Sequence, residues 1–507
     1  YTFSHMVEIP IHVKKYRDDY SRNKTGESSE KDRASDSEQN LSGGEIFLDY
    51  LVKIPLFLVV FLVPLFFWPS SDVLGLPKQF LLSLLALVSL AAWIGRVIVS
   101  GKITLRLHTV IAPLLLVVLA GIFSIYFSSS KWVSFLGDTS RYTLSGLSLF
   151  SYLIIFFVAF QNLDRNEVKG VVGLLFFSVF LLMALAVLHF LNIFVFPFDF
   201  TKSRVFNPIG SLSSLAAFAA ALLPFIMVWL EEHFSLKSWR FKFLSLIFAA
   251  FALLQSGMAV LIDAVPVWMG LIVSSAVLVI LEVLNPKKVE GEYQKKVFLP
   301  LVAIILSVFL WWLALPGPRW LNMPAEVKPS YSASFSIVKK NLKENWLFGS
   351  GLETFPYVYG KFKSEALNQT NFWGVNFSSS ASDFLSWVVH TGLFGLAAFL
   401  GFAVIFIRHA LKKIWSKEGF GIEAGIFASW IFILAMKLFS NLSLPLEMLF
   451  WLLPALFMAL TVEKKWVYRF ESGTWTTLGI ICSLITGLLF SLAGIYLSIE
   501  RWFGERA

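Results

Sequence analysis

Two isolated arginines are the residues of this sequence whose type and surroundings best suit chemistry. Arg141 ends the stretch Gly-Asp-Thr-Ser-Arg at 137–141, and Arg204 precedes the stretch Val-Phe-Asn-Pro, which contains Asn207. A guanidinium group presents its N–H donors in a fixed fork that matches phosphate or pyrophosphate oxygens, a geometry that lysine cannot reproduce. The alternative is that each arginine only extends toward lipid phosphates at a membrane surface.

The region 316–380 holds the next candidate residues. A helix is predicted over 332–346, with Phe335, Val338, Leu342 and Trp346 on an apolar face and Lys339, Lys340 and Lys343 on a charged one. Such a helix could direct its cations toward anionic headgroups or a lipid-linked substrate, or it could simply cover a helix bundle. Gly349 and Gly351 follow, and glycine permits a tight turn or a close backbone approach.

The elements that must position these residues are membrane helices. Of the 507 residues, 57% are hydrophobic and only 15% are charged, the mean hydropathy is +0.72, and Phe (52) and Trp (18) are abundant. Because a helix needs roughly 20 apolar residues to cross a bilayer, we predict an all-α polytopic bundle of about 12–13 spans. The predicted spans are 47–68, 79–99, 108–127, 145–162, 169–194, 211–230, 241–257, 259–284, 297–315, 381–407, 421–440, 446–461 and 475–498.

The distribution of lysine and arginine predicts the orientation of this bundle. Alternate loops carry most of the cations, among them Lys102, Arg106, Arg165, Lys412 and Lys465. Cations concentrate on the cytoplasmic side, so we expect these loops and the N-terminus inside, and the C-terminus outside. The expected organisation is a disordered cytoplasmic tail (1–44), nine helices (45–315), a large extracytoplasmic loop with its amphipathic helix (316–380), and the remaining helices with an outward C-terminus (381–507).

Several function classes lack support in the sequence. The net charge of +9 is explained by cytoplasmic loops better than by nucleic-acid binding. The single cysteine, Cys482, excludes a disulfide framework. No phosphate loop, dinucleotide fingerprint or His-Glu-x-x-His motif occurs, so neither a metal nor a nucleotide cofactor is predicted.

Four segments, taken in order, resemble the O-antigen ligase and O-antigen polymerase superfamily of bacterial envelope glycosyltransferases. They are the Arg141 segment (137–146), the Arg204 to Pro224 segment with Asn207-Pro208, the Gly-x-Gly element at 345–355, and the His-Thr-Gly-Leu stretch at 390–396. The resemblance covers roughly 45–460. It implies transfer of a glycan from undecaprenyl pyrophosphate to an acceptor hydroxyl, at the outer face of the cytoplasmic (inner) membrane, as in polysaccharide or lipopolysaccharide biosynthesis. Arginines such as Arg141 and Arg204 would hold the pyrophosphate, without metal or nucleotide.

The sequence departs from the family at one position that matters for catalysis. Where the family has His-Asn before the helix that follows the large loop, this chain has Ala381 and Ser382. Asp383, Glu353 and His390 are therefore the substitute candidates for the base. Each also has a structural reading: Asp383 as a helix N-terminal charge, Glu353 as a solvated loop acid and His390 as a bundle residue.

Other functions stay open at this stage. Trp373 and the amides at 368–371 are of the type that hold sugars, although an ordered loop uses the same residues for packing. The missing histidine is compatible with a non-catalytic protein that binds a glycan or lipid. A transporter or lipid flippase is the third alternative, with Asp263, Lys437 and Glu447 as the charged residues within spans. Lipid-linked oligosaccharide and membrane lipids are the predicted partners.

Overall fold

A computed structural model describes residues 43–69, 73–138, 141–233, 265–284, 297–314, 327–365, 372–416 and 421–470, together with Gly257 and isolated positions after 470. It is 74% helical with almost no sheet. The predicted fold class, an all-α polytopic membrane bundle, is confirmed. Predictions for the tail before Gly43, the span 241–257, Asp263, the amides at 368–371 and most of 475–498 lie outside the described residues.

The described helices are, in chain order, α1 (Gly43–Leu65), α2 (Gly75–Ser100), α3 (Ile111–Tyr126), α4 (Lys131–Leu136), α5 (Gly146–Asn162), α6 (Arg165–Phe190), α7 (Leu212–Ala220), α8 (Leu223–His233), α9 (Val265–Val283), α10 (Phe298–Ala314), α11 (Tyr331–Glu344), α12 (Phe355–Phe362), α13 (Asp383–Ile414), α14 (Ile422–Phe439) and α15 (Leu444–Thr461). Within the described ranges, eight helices are long and apolar enough to cross a membrane, α7 and α8 together counting as one. Three shorter apolar helices, α3, α5 and α10, accompany them.

The centre of the bundle is α15. In its most apolar stretch 94% of the residues are buried, against 33% in α1, so α15 is surrounded by protein and α1 is peripheral. Aromatic side chains of neighbouring helices pack against those of α15: Phe402 against Trp451, Phe406 against Phe457 and Trp430 against Phe450. The helix begins directly after Ser443. Its first turn contains Pro445, where the missing N–H costs no hydrogen bond.

Because successive helices run in opposite directions, the loops between them gather at two distinct ends of the bundle. At the end we call the loop end, Gln79 of α2 hydrogen-bonds Ser145 before α5, and the Asp383 N–H at the start of α13 donates to Ser440 after α14. At the opposite end, which we call the basic end, Arg165 pairs with Glu423, and Arg106 donates to the carbonyls of Phe160, Leu163 and Ala459. The cations assigned to inside loops and present in the structure lie at the basic end.

The basic end also carries the one sheet of the described residues, which the sequence analysis missed. Strands β1 (Lys102–Arg106) and β2 (Lys465–Arg469) pair antiparallel, with Lys102 opposite Arg469 and Arg106 opposite Lys465. The two strands directly follow α2 and α15, so this two-stranded ribbon lies where two apolar helices end.

Candidate functional site

Five charged residues from five parts of the chain form one buried row at the loop end. Their order is Glu353, Arg141, Asp383, Lys437 and Glu447, and we call this row the charge chain. The side chain of Arg141 is 9% exposed, and those of the other four are 3% exposed or less. Successive members alternate in sign, so each cation has a carboxylate on both sides.

The inner part of the charge chain is built from helix ends. Asp383 starts α13, Lys437 lies in the last turn of α14, and Glu447 lies in the first turn of α15. Carboxylates are stabilised at helix N-termini and cations at C-termini, so the three helix dipoles favour this arrangement. Lys437 Nζ contacts Glu447 Oε2 and lies 3.8 Å from Asp383 Oδ2, and the Trp451 indole donates to Glu447 Oε1 at 3.1 Å.

Asp383 has both carboxylate oxygens occupied. Oδ1 accepts from Arg141 Nη2, and Oδ2 accepts from the backbone N–H of Leu442 at 3.0 Å. Arg141 Nη1 also reaches Asn441 Oδ1 at 3.4 Å. The carboxylate therefore ties the Arg141 loop to the turn between α14 and α15. A group so fully engaged positions its neighbours rather than accepting a proton from substrate.

Glu353 lies at one end of the charge chain, and the hydrogen bonding of its carboxylate differs from that of Asp383. Its Oε1 accepts from the Leu144 N–H and lies 3.8 Å from Arg141 Nε, whereas its buried Oε2 has no hydrogen-bond partner among the described residues. Its φ of +53° is rare for a residue with a side chain, and such strain is concentrated at functional sites. Burial outweighs the opposing effect of Arg141 and raises the pKa of Glu353 to about 6.

A break in α13 at Gly392 holds the Glu353 loop in place. Gly392 has φ +62° and ψ −160°, outside the helical region. The freed N–H groups of Leu393 and Phe394 donate to the carbonyls of Trp346 and Leu347. In return, the N–H groups of Ser350 and Gly351 donate to the carbonyls of Val389 and His390 at 3.0 and 3.2 Å. Non-helical backbone is tolerated in a membrane helix only where its polar groups are satisfied in this way.

Gly349 and Gly351 have the close approach that their spacing predicted. Gly349 has φ +71°, and a Cβ there would stand 2.2 Å from the carbonyl oxygen of His390. Gly351 has φ +114°, and a Cβ would stand 2.1 Å from the Ser128 hydroxyl. The two glycines therefore let the loop press against α13 and the segment before α4. Gly349 thus packs against the backbone of α13, and Gly351 against the side chains of Ser128 and Ser134.

His390 is fully buried on α13, two turns after Asp383. Its carbonyl accepts from Gly351 and from the Ser124 hydroxyl at 2.7 Å, but both ring nitrogens lack a hydrogen-bond partner among the described residues. The charged groups that act on the ring are Arg141 and Asp383. The histidine thus belongs to the same neighbourhood as the charge chain without joining it.

Arg204 has different surroundings from Arg141, although both lie at the loop end. It is exposed, and its Nε donates to Asn192 Oδ1 at 2.6 Å. Among the described residues no ion pair or hydrogen bond joins Arg204 to the charge chain. Asn207 is buried and organises its own turn, accepting from the Gly210 N–H and donating to the Val205 carbonyl.

The amphipathic helix α11 buries only part of the apolar face predicted for it, Val338 fully and Leu342 partly. Ser334, Ile337, Val338 and Asn341 are its buried residues, whereas Phe335 and Trp346 are 63% and 57% exposed. The stripe is displaced because α11 packs on α12 and α13, where Asn341 donates to the Val389 carbonyl at 3.1 Å. Lys339 and Lys343 are exposed, and so is Trp373, whose carbonyl accepts from Lys363.

Of the predicted site residues, the structure brings together Arg141, Glu353 and Asp383, with His390 close by. Sequence reasoning noted Lys437 and Glu447 as charged residues within spans but did not connect them with Arg141. In the described part of the chain no group of three or more His, Cys, Asp or Glu side chains could hold a metal ion. A scan against protein-family models gives no match, and a search of the curated proteins finds none either.

Proposed function

We propose that this protein is a membrane glycosyltransferase of the O-antigen ligase or polymerase type. It would move a glycan from an undecaprenyl-pyrophosphate carrier to an acceptor hydroxyl at the outer face of the cytoplasmic membrane. In this proposal the loop end faces outward, in agreement with the concentration of cations at the basic end. The observation that supports the proposal is that Arg141 meets Glu353 in a buried site. Glu353 lies in the segment 345–355, which resembles the Gly-x-Gly element of this superfamily.

Arg141 suits the pyrophosphate because its guanidinium has more donors than its described partners use. The group has five N–H donors, and within the described part of the chain its hydrogen bonds go to Asp383 and Asn441. Negative charge grows on the pyrophosphate as the bond to the sugar breaks. A fixed cation in a water-poor site stabilises that charge without reorganising. Arg204, exposed at the same end, would serve the incoming carrier rather than the reacting bond.

Glu353 is the base in this proposal. The acceptor oxygen attacks the anomeric carbon, the bond from that carbon to the pyrophosphate oxygen breaks, and the hydroxyl proton passes to the carboxylate. A carboxylate with a pKa of about 6 is ionised at neutral pH, and Glu353 Oε2, which has no hydrogen-bond partner in the part of the chain that the structure describes, can accept the proton. Asp383 is a positioning residue for Arg141, since both its oxygens are occupied. The His390 ring has no hydrogen-bond partner within the described ranges, so it is given no role in the proton transfer.

The two other functional classes fit the geometry less well. A translocation path for ions or lipids would need charged groups near the middle of the membrane, and the charge chain lies at helix ends. A purely binding protein would have little use for a strained, half-satisfied carboxylate beside a buried arginine.

The test is transfer of a labelled glycan by the purified protein from an undecaprenyl-pyrophosphate donor to an acceptor. We expect Arg141→Lys and Glu353→Gln each to lower the rate at least 100-fold, the scale typical of losing a general base or a fixed charge. Lys361→Gln is the matched control, because that exposed lysine pairs with Glu344 on the same loop and should leave the rate unchanged. Full activity of Glu353→Gln would remove it as the base, and full activity of Arg141→Lys would refute the site.

A further inference from the structure

Helix α11 exposes a row of residues that its packing does not use. Its buried face, which includes Ile337 and Val338, lies against α12 and α13. Phe335, Lys339 and Lys343 are exposed and recur every four residues, so they line one side of the helix, away from that face. We call these three residues the outer strip. It combines an apolar ring with two cations, and neither is explained by contacts within the bundle.

The two lysines of the outer strip have no ion pair or hydrogen bond with any part of the chain that the structure describes. Glu344 is the one acid of α11, and it pairs with Lys361 of α12 instead. The ammonium groups of Lys339 and Lys343 are therefore without a described counter-charge. Their positions are roughly 6 Å apart along the helix axis, so both can reach one negatively charged surface.

Both ends of α11 are fixed at the level where apolar helices of the bundle end. The Tyr331 hydroxyl, in the first turn of α11, donates to the carbonyl of Phe439 at 2.6 Å, in the last turn of α14. At the other end Phe348, just beyond α11, stacks on Phe127, which directly follows α3, with ring centroids 4.9 Å apart. Because α14 and α3 both end at the loop end, α11 runs across that end and along the membrane surface.

Exposed aromatic residues mark the same level independently. Tyr126 and Phe127 at the end of α3 are exposed, and so are Trp132 of α4 and Trp346 just beyond α11. Aromatic side chains are enriched at the depth where acyl chains meet headgroups, since their rings are apolar and their edges tolerate water. The outer strip lies beside these residues, at the depth where a membrane presents both apolar chains and phosphate groups.

We propose that α11 lies in the headgroup layer of the leaflet that meets the loop end, and that its outer strip binds anionic phospholipid. Phe335 inserts below the phosphates, and Lys339 and Lys343 extend their ammonium groups to phosphate oxygens. Phospholipid suits the strip better than a glycan, because the Phe335 ring has no hydrogen-bonding group and gains most in an apolar medium. The proposal rests on the contacts of α11 and not on the proposed transfer reaction.

A fluorescent probe at position 335 measures the insertion directly. The full chain carries Cys482→Ser, which removes its single cysteine, and bimane is attached to Phe335→Cys in vesicles of phosphatidylglycerol and phosphatidylcholine. The matched control is Lys340→Cys, an exposed position of the same helix about 140° around its axis from 335. We expect a lipid with a shallow doxyl group to quench the probe at 335 roughly threefold more than the probe at 340, and aqueous iodide to quench in the reverse order.

Three outcomes of this measurement would refute the lipid site. Equal quenching of both probes by the doxyl lipid would show that α11 has no side turned toward the membrane. Stronger quenching of the probe at 335 by iodide would place Phe335 in water. Protection of that probe from both quenchers would show that protein or glycan covers the outer strip instead of lipid.

Lys339→Gln/Lys343→Gln tests the phosphate contacts, with the probe kept at position 335. We expect quenching by the doxyl lipid to rise about twofold when half of the phosphatidylcholine is replaced by phosphatidylglycerol, because cations near an anionic surface are attracted to it. The double variant should lose that response, whereas Lys412→Gln/Lys413→Gln, the same change of charge at the basic end, should keep it. A retained response in the first variant, or an equal loss in both, would refute phosphate binding by the outer strip.

Discussion

Replacing Lys437 by Met tests whether the charge chain holds the loop end together. Met has a similar length and stays apolar against Phe450, over whose ring the ammonium lies at 5.0 Å, so the change removes charge more than packing. Asp383 would keep Arg141 and the Leu442 N–H, whereas Glu447 would keep, of its partners in the described ranges, the Trp451 indole. Because a carboxylate buried without its partner costs about 3–5 kcal/mol, we expect Lys437→Met to lower the free energy of unfolding by that amount.

A second substitution separates electrostatics from packing. Gln at 447 is neutral and retains an Oε1 that can accept from Trp451, so Lys437→Met/Glu447→Gln should recover all but about 1 kcal/mol of the loss. The free energy of unfolding of Glu447→Gln alone should lie between those of the single variant Lys437→Met and the double variant, because Lys437 keeps its contact with Asp383 at 3.8 Å. Thermal unfolding in detergent micelles gives the order directly, with Lys343→Met as an exposed control expected within about 0.5 kcal/mol of the parent. The reasoning fails if Lys437→Met is as stable as the parent or if the double variant is no better than the single.

Two further predictions concern the Glu353 loop. Gly349→Ala should disrupt the loop and lower the free energy of unfolding by more than about 2 kcal/mol, because the residue combines a positive φ with a Cβ position against the His390 carbonyl. Gly360→Ala on α12, with open space around it, is the control and should be neutral or slightly stabilising. Equal unfolding temperatures of the two variants would contradict this. The pKa of Glu353 is about 6 in the fold against an ordinary 4.5, so the folded state binds the proton more tightly. Stability should therefore fall by about 2 kcal/mol in total as the pH rises from well below 4.5 to well above 6. Glu353→Gln should remove that part of the pH dependence, and an unchanged slope in the variant would place the titration elsewhere.

The membrane helices could be predicted from the sequence because their signal is local. Each is a continuous apolar run of the length that a bilayer demands, and observed limits such as Gly75–Ser100 and Gly146–Asn162 lie close to the predicted 79–99 and 145–162. The break at Gly392 could not be predicted in the same way. Its run of apolar residues continues through the glycine, and the break is stable only because residues 346–351 satisfy the exposed backbone groups.

The charge chain could be predicted only in part from the sequence, for a related reason. A charged residue within an apolar run, such as Lys437 or Glu447, signals a function or a buried partner by itself. Which partner it has depends on how the helices pack, and no periodicity encodes that. The ribbon was hidden because five-residue strands directly after long apolar helices leave too short an alternation to detect.

The imbalance of the charge chain links its stability to its proposed chemistry. Three carboxylates face two cations, so the fully ionised chain holds a surplus negative charge away from water. Glu353 has a raised pKa and an oxygen without a hydrogen-bond partner in the described ranges, so a proton relieves that surplus most readily there. A pyrophosphate bound at Arg141 would add negative charge beside the same carboxylate and raise its proton affinity further. In the proposed reaction, binding of the donor would thus strengthen the base that the acceptor hydroxyl needs, and the pKa of Glu353 should rise when the lipid-linked donor binds.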